Sequence, residues 1–238
     1  FGLGVSTGIG FKNEETGLKK TPNSQEMGNF IDIAIGQLDT YTPLQMAQYI
    51  STIANGGYRM KPMLVKEIRT HNADGLGTIV QQIQPQVLNR VTMDEKYIKR
   101  VQEGMWRVTH GPQGTARSLF ANFPYDVAGK TGSAESYHAE SRKWTVNSTF
   151  VGYAPYDDPE IAISVIVPNA YEDTMPYNIT QNIAKRTFEA YFDLKESSSF
   201  SDDSLDDYDP KKAEEREDGN PSDPSENGEY ETAEAQFN

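Results

Sequence analysis

Between Tyr125 and Pro168 the chain reads as three strands in succession, and this stretch most narrows the possible folds. Tyr125–Glu135 opens with apolar residues (Tyr125, Val127, Ala128) and runs into small and hydroxyl-bearing ones. Val146–Ala154 carries Phe150, Val151 and Tyr153. Glu160–Pro168 contains Ile-Ala-Ile-Ser-Val-Ile-Val, apolar enough for a buried central strand. Asp157-Asp158-Pro159 is turn chemistry between the last two. Strands joined this closely cannot host crossover helices, so the sheet they form is antiparallel.

Helices flank these strands. Thr42-Pro43-Leu44-Gln45 has the capping-box pattern with proline at the first helical position. Leu44, Ala47, Ile50, Ile53 and Ala54 keep helical spacing, and Asn55-Gly56-Gly57 ends the run. Thr92-Met93-Asp94-Glu95 predicts a second capping box, opening a helix through Ile98, Val101, Met105 and Val108 to Gly111-Pro112. A third helix starts after Asn178, with Gln181 three on, and runs through Ile183, Ala184, Phe188 and Tyr191-Phe192. Two further strands are expected at Pro62–Thr70 and Thr78–Ile83, and loops at 1–10 and 11–30. The pattern is α+β: an antiparallel sheet flanked by helices.

Charge divides the chain. Of 35 acidic and 22 basic residues, 15 and 4 lie from Lys195 to Asn238, leaving 20 and 18 in the rest. The acidity therefore belongs to the last segment, which is rich in Ser, Asp, Glu, Pro, Asn and Gly. Such a composition buries too little apolar surface to offset chain entropy, so residues 194–238 read as a disordered acidic tail behind a folded part at 1–193. The acid excess argues against nucleic-acid binding. There is no cysteine, which excludes disulfides and thiolate chemistry. His71, His110 and His138 lack ligand spacing, so neither a metal nor another cofactor is expected. No run of about 18 apolar residues is present to span a membrane.

The chemistry concentrates in Val127-Ala128-Gly129-Lys130-Thr131-Gly132-Ser133-Ala134-Glu135. Lys130 offers an ammonium for a carboxylate or a hydroxyl proton network. Thr131 and Ser133 offer hydroxyls to an anionic substrate end, and Gly132 lets backbone approach closely. A nucleotide loop would need glycine five positions before Gly129, where Pro124 stands. The Gly-rich start has Thr7 where a dinucleotide fingerprint needs its third glycine. A plain turn lysine before a small-residue strand also fits these residues.

Lys-Thr-Gly is a signature of penicillin-binding proteins and class A β-lactamases. The chain resembles the transpeptidase domain of the former over about residues 1–193. Ile35-Gly36-Gln37, Thr42-Pro43-Leu44-Gln45-Met46-Ala47, Ile53-Ala54-Asn55-Gly56-Gly57, Gly114-Thr115-Ala116, the Lys-Thr-Gly strand and Phe150-Val151-Gly152-Tyr153-Ala154-Pro155 follow in the family's order. The details favour the monofunctional class B type over the bifunctional class A type. No serine here has lysine three positions on, and Ser225-Glu226-Asn227, in the acidic segment, is the one Ser-x-Asn triplet. The resemblance thus implies the C-terminal part of such a domain, an incomplete fold of the penicillin-binding protein and serine β-lactamase kind, with its Ser-x-x-Lys nucleophile and Ser-x-Asn motifs upstream.

What the resemblance implies is a peptidoglycan D,D-transpeptidase that cross-links stem peptides through a serine acyl-enzyme and binds β-lactams. Lys130 and Ser133 take catalytic roles, Lys130 in the proton network and Ser133 by its backbone N–H in the oxyanion hole. Lys130, Thr131, Gly132 and Ser133 form the substrate-binding strand, with Gly132 keeping that face open. Glu135 reads as a solvent residue, and Trp144 and Tyr153 as packing. The implied partners are stem peptides, β-lactams and other cell-wall synthesis proteins. The implied place is the outer face of the cell membrane, with an anchor upstream. A serine β-lactamase and a non-enzymatic β-lactam sensor or scaffold of the same fold are the alternatives.

Overall fold

The computed structural model describes residues 1–19, 31–33, 35–72, 75–138, 142–170 and 178–192. The expectations for a loop at 20–30 and for the acidic segment 194–238 lie outside them. No helix among the described residues is long and apolar enough to cross a membrane.

The expected strands are present as β5 (Ala128–His138), β6 (Lys143–Ala154) and β7 (Ile161–Val167). They form one antiparallel sheet in the order β5-β6-β7, with Lys130 opposite Val151 and Gly152 opposite Ile163. Among the described residues the apolar β7 is therefore an edge strand and not the central one. The middle place goes to β6, and Ile166 of β7 is exposed. A near-continuous apolar run fits a strand covered on both faces, and cover on two faces needs no neighbour on both edges.

Strand alternation sends residues to opposite faces of this sheet. Gly129, Thr131 and Ser133 of β5 share one face with Ser148, Phe150, Gly152 and Ala154 of β6. That face packs under α3 (Arg117–Phe120) and α4 (Ile179–Tyr191), where Phe120, Phe123, Phe150 and Phe188 form an aromatic core. The Phe120 ring stacks on Phe150 at 5.4 Å and meets Phe188 edge-on at 6.4 Å. The opposite face, with Ala128 and Tyr153, packs against α1 (Pro43–Ala54) and α2 (Glu95–His110) through Ile50, Ile53 and Met105.

The α1 cap is as expected. Gln45 N donates to Thr42 Oγ1 at 3.2 Å and Thr42 N donates to Gln45 Oε1 at 3.0 Å, with Pro43 at the start. The helix ends at Asn55, and Gly56 and Gly57 follow at φ 78° and 102°, angles that favour glycine. Two polar residues of α1 are buried where apolar spacing alone did not place them. Gln45 Nε2 donates to Val5 O (2.8 Å) and Thr16 O (3.1 Å). Gln48 Nε2 donates to Thr7 O (2.9 Å) and Met60 O (2.8 Å), and its Oε1 accepts from Arg59 Nε at 3.0 Å. The N-terminal loop is thereby tied to α1 by side-chain amides standing in for a backbone ladder. Glu14 holds the same loop, accepting from Thr7 N (2.8 Å) and from the Ser6 and Thr7 hydroxyls (both 2.5 Å).

The expected capping box at Thr92 does not form. The cap residue of α2 is Asp94, whose side chain makes no cap hydrogen bond and instead reaches the Lys96 ammonium at 3.0 Å. Val101 is 45% exposed although its spacing placed it on the buried stripe of Ile98 and Met105. In α4 the cap is Asn178, again without a side-chain cap bond, its Oδ1 accepting instead from Asn182 Nδ2 at 3.3 Å; Ala184 and Phe188 are buried, but Ile183 and Tyr191 are exposed. Two small antiparallel pairs complete the fold: β1 (Tyr58–Met60) with β4 (Val87–Arg90), and β2 (Glu67–Asn72) with β3 (Gly75–Gln82). The expected strand at Pro62–Thr70 thus begins only at Glu67, and β1 and β4 were not foreseen.

Candidate active site

The candidate site residues lie on β5. Among the described residues β5 pairs with β6 alone, so its other edge presents backbone N–H and C=O groups that no neighbouring strand engages. An extended peptide can add to such an edge as a further strand. Lys130, Thr131 and Ser133 bracket that edge: Lys130 projects from the α1/α2 face, Thr131 and Ser133 from the α3/α4 face.

Lys130 is exposed, and its ammonium lies back along its own strand, Nζ donating to Thr131 O at 2.6 Å. Ser133 is exposed, two residues further along on the Thr131 side. Thr131 is half-buried, and its Oγ1 lies 2.8 Å from Thr115 Oγ1. The sequence reading placed Thr115 only in a segment leading to the strand; two hydroxyls 16 positions apart have no local signal that would pair them.

Gly132 does not leave its strand face open. A Cβ there would stand 2.2 Å from Thr149 Oγ1, so the Thr149 side chain across the sheet fills that space. Gly129 serves packing: a Cβ would stand 2.5 Å from Phe150 Cζ and 2.9 Å from Val151 O. The glycines of this strand make room for β6 side chains, and approach to β5 is left to its free edge.

The strand is positioned from its N-terminal end. Thr109 Oγ1 near the end of α2 donates to Val127 O at 2.5 Å. His110 stacks on Trp106 with ring centroids 4.9 Å apart, and its Nε2 lies 3.4 Å from Asp126 Oδ1. Tyr153 is buried as expected, and burial raises the pKa of its hydroxyl well above the usual tyrosine value. Trp144 departs from the packing expectation: it is 72% exposed, touching Tyr137 edge-on at 5.6 Å. Glu135 is exposed, as read.

A shallow cavity of about 470 Å³ lies against α3, lined by Gly114, Arg117, Ser118, Ala121 and Asn122. None of Lys130, Thr131 or Ser133 lines it. A site made of one open strand edge encloses no volume by itself, so the cavity and the site are separate features. Among the described residues no three His, Asp or Glu side chains gather in a metal-holding group.

Residues 1–189 match the family model described as penicillin binding protein transpeptidase domain. Penicillin-binding protein 2A of Bacillus subtilis is 52% identical over 202 residues, covering 82% of this chain and 28% of that protein. Peptidoglycan D,D-transpeptidase MrdA of Haemophilus influenzae is 30% identical over 191 residues, covering 71% of this chain and 28% of that protein. Among solved structures, penicillin-binding protein 2B of Streptococcus pneumoniae superposes with a TM-score of 0.72 at 36% identity, covering 82% of this chain and 31% of that one. The chain thus spans under a third of the length of these relatives.

Proposed function

We propose, for a chain that belongs to the penicillin-binding protein transpeptidase family, that β5 forms one wall of an acyl-transfer cleft in a peptidoglycan D,D-transpeptidase of the class B type. The observation that carries this reading is a strand edge, paired with no other strand among the described residues, that bears an exposed ammonium at Lys130 and hydroxyls at Thr131 and Ser133. The names of the relatives, a D,D-transpeptidase and penicillin-binding proteins, support the substrate and the inhibitor class.

The reaction is acyl transfer. A serine outside these 238 residues attacks the D-Ala-D-Ala amide of a stem peptide, and D-alanine leaves. An amine of a neighbouring stem then takes the acyl group and frees the serine. A hydroxyl is a weak nucleophile near its free pKa and needs a neighbouring base; that base also lies outside this span, since no serine here has lysine three positions on. Lys130 supplies positive charge beside the proton network. Thr131 and Ser133 donate their hydroxyl protons to the terminal carboxylate. The Ser133 N–H is one of the donors to the developing oxyanion, and removing such a donor costs about 10²–10³-fold in rate. β-Lactams enter as substrate mimics that leave a stable acyl-enzyme, and the workplace is the outer face of the cell membrane.

The test is acylation of the full-length protein by a labelled penicillin. Lys130→Ala and Thr131→Val should each nearly abolish it with the circular dichroism spectrum unchanged. Ordinary acylation rates in both variants refute the reading. Fast release of label from the native protein marks a hydrolase instead.

A further inference from the structure

We propose that Thr115 is a positioning residue for the carboxylate end of the substrate, acting through the Thr131 hydroxyl. The inference rests on the reading of β5 as the substrate strand and assigns a role to a residue outside it.

Thr115 Oγ1 and Thr131 Oγ1 are 2.8 Å apart, and each hydroxyl has a single proton. Either can donate to the other. If Thr131 donates to Thr115, it turns its lone pairs toward an arriving anion and repels it. If Thr115 donates to Thr131, the Thr131 proton is free for the carboxylate. A bound carboxylate therefore selects one direction: Thr115 to Thr131 to the anion. Each bond in such a chain polarises the next, so the Thr131 proton becomes a better donor.

Thr115 is held in place by its neighbours. A Cβ on Gly114 would lie 2.3 Å from Val108 O and 2.7 Å from Arg107 O, so this position admits only glycine without a shift in α2. Gly114 N donates to Gly111 O (2.9 Å), and Ala116 N donates to Val108 O (3.0 Å). The Ala116 side chain is in the aromatic core beneath the sheet. The Arg117 guanidinium donates to His110 O. The end of α2 also anchors the start of β5 through Thr109 and Val127. One helix end thus fixes both partners of the Thr115–Thr131 pair.

The experiment compares a penicillin with its methyl ester in the full-length protein, as second-order acylation rates. The ester lacks the anion that Thr131 is proposed to bind. Thr115→Val should lower the acid-to-ester rate ratio about 3- to 10-fold, the range for losing one neutral hydrogen bond. Thr115→Ser, which keeps the hydroxyl, should restore the native ratio. A Thr115→Val/Thr131→Val double variant should be no more impaired in that ratio than Thr131→Val alone. Thermal unfolding monitors the fold, and Thr115→Ala carries the same expectation if the valine variant does not fold. An equal loss for acid and ester, or failure of serine to rescue, overturns the relay and leaves Thr115 a structural residue. If Thr131→Val lowers the ratio and Thr115→Val does not, the relay alone fails. If Thr131→Val leaves the ratio untouched, the reading of the strand itself fails.

Discussion

Gly129→Ala tests whether the glycines of β5 serve packing. The added methyl would stand 2.5 Å from Phe150 Cζ and 2.9 Å from Cε2. The ring cannot swing into solvent, because Phe150 is fully buried and stacked on Phe120. Overpacking of this kind costs about 1–3 kcal/mol. Alanine recovers about 0.4–1 kcal/mol by restricting the unfolded chain. The midpoints of these two ranges leave a net loss of about 1.3 kcal/mol, read by equilibrium urea unfolding of the full-length protein. Phe150→Leu removes the offending ring atoms and has its own cost. In the double variant the alanine should therefore cost at least about 1 kcal/mol less than it does beside phenylalanine, a coupling typical of residues in contact. Gly129→Ala stability within about 0.3 kcal/mol of native, or strict additivity with Phe150→Leu, would refute the packing argument; 0.3 kcal/mol is about the scatter of independent sites.

Three other outcomes follow from the same geometry. Gln48→Ala removes the donor from Thr7 O and Met60 O and the acceptor from Arg59, so it should cost about 2–4 kcal/mol in thermal unfolding. Hydrogen bonds from Ser6 and Thr7 hold the Glu14 carboxyl below its ordinary value of 4.5. The stability it contributes is complete above that ordinary value and is lost as pH falls through the lower folded one, so Glu14→Gln should lie below native stability at neutral pH and converge with it in acid. Gly132→Ala drives a methyl to 2.2 Å from a single hydroxyl, Thr149 Oγ1, and Thr149→Ala should recover most of whatever stability it loses.

The sheet and α1 were legible because their signals are local. Turn residues between apolar runs set the antiparallel strands, and Thr42 and Gln45 are three residues apart and cap one another. Most of the misreadings concern partners distant in sequence. Gln45 and Gln48 are buried because carbonyls of the N-terminal loop need donors, which no periodicity announces. Asp94 bonds Lys96 and not a helix amide, a choice between two neighbours that pattern cannot make. β7 is apolar because residues on both its faces pack against the two cores, a signal that does not tell the edge position it holds among the described residues from a central one. At the candidate site, Lys130, Thr131 and Ser133 were singled out by residue type and by the family resemblance, and the structure sets them along one strand. The filling of the Gly132 space by Thr149 and the pairing of Thr131 with Thr115 required the register of β5 on β6 and the course of the loop after α2.

The most direct measurement is a crystal structure of the full-length protein acylated by a penicillin. The bound drug should lie along the free edge of β5, its carboxylate within about 3.2 Å of the Thr131 and Ser133 hydroxyls and its former lactam carbonyl oxygen facing the Ser133 N–H. An adduct whose carboxylate contacts neither hydroxyl, or one seated away from β5, would contradict the account.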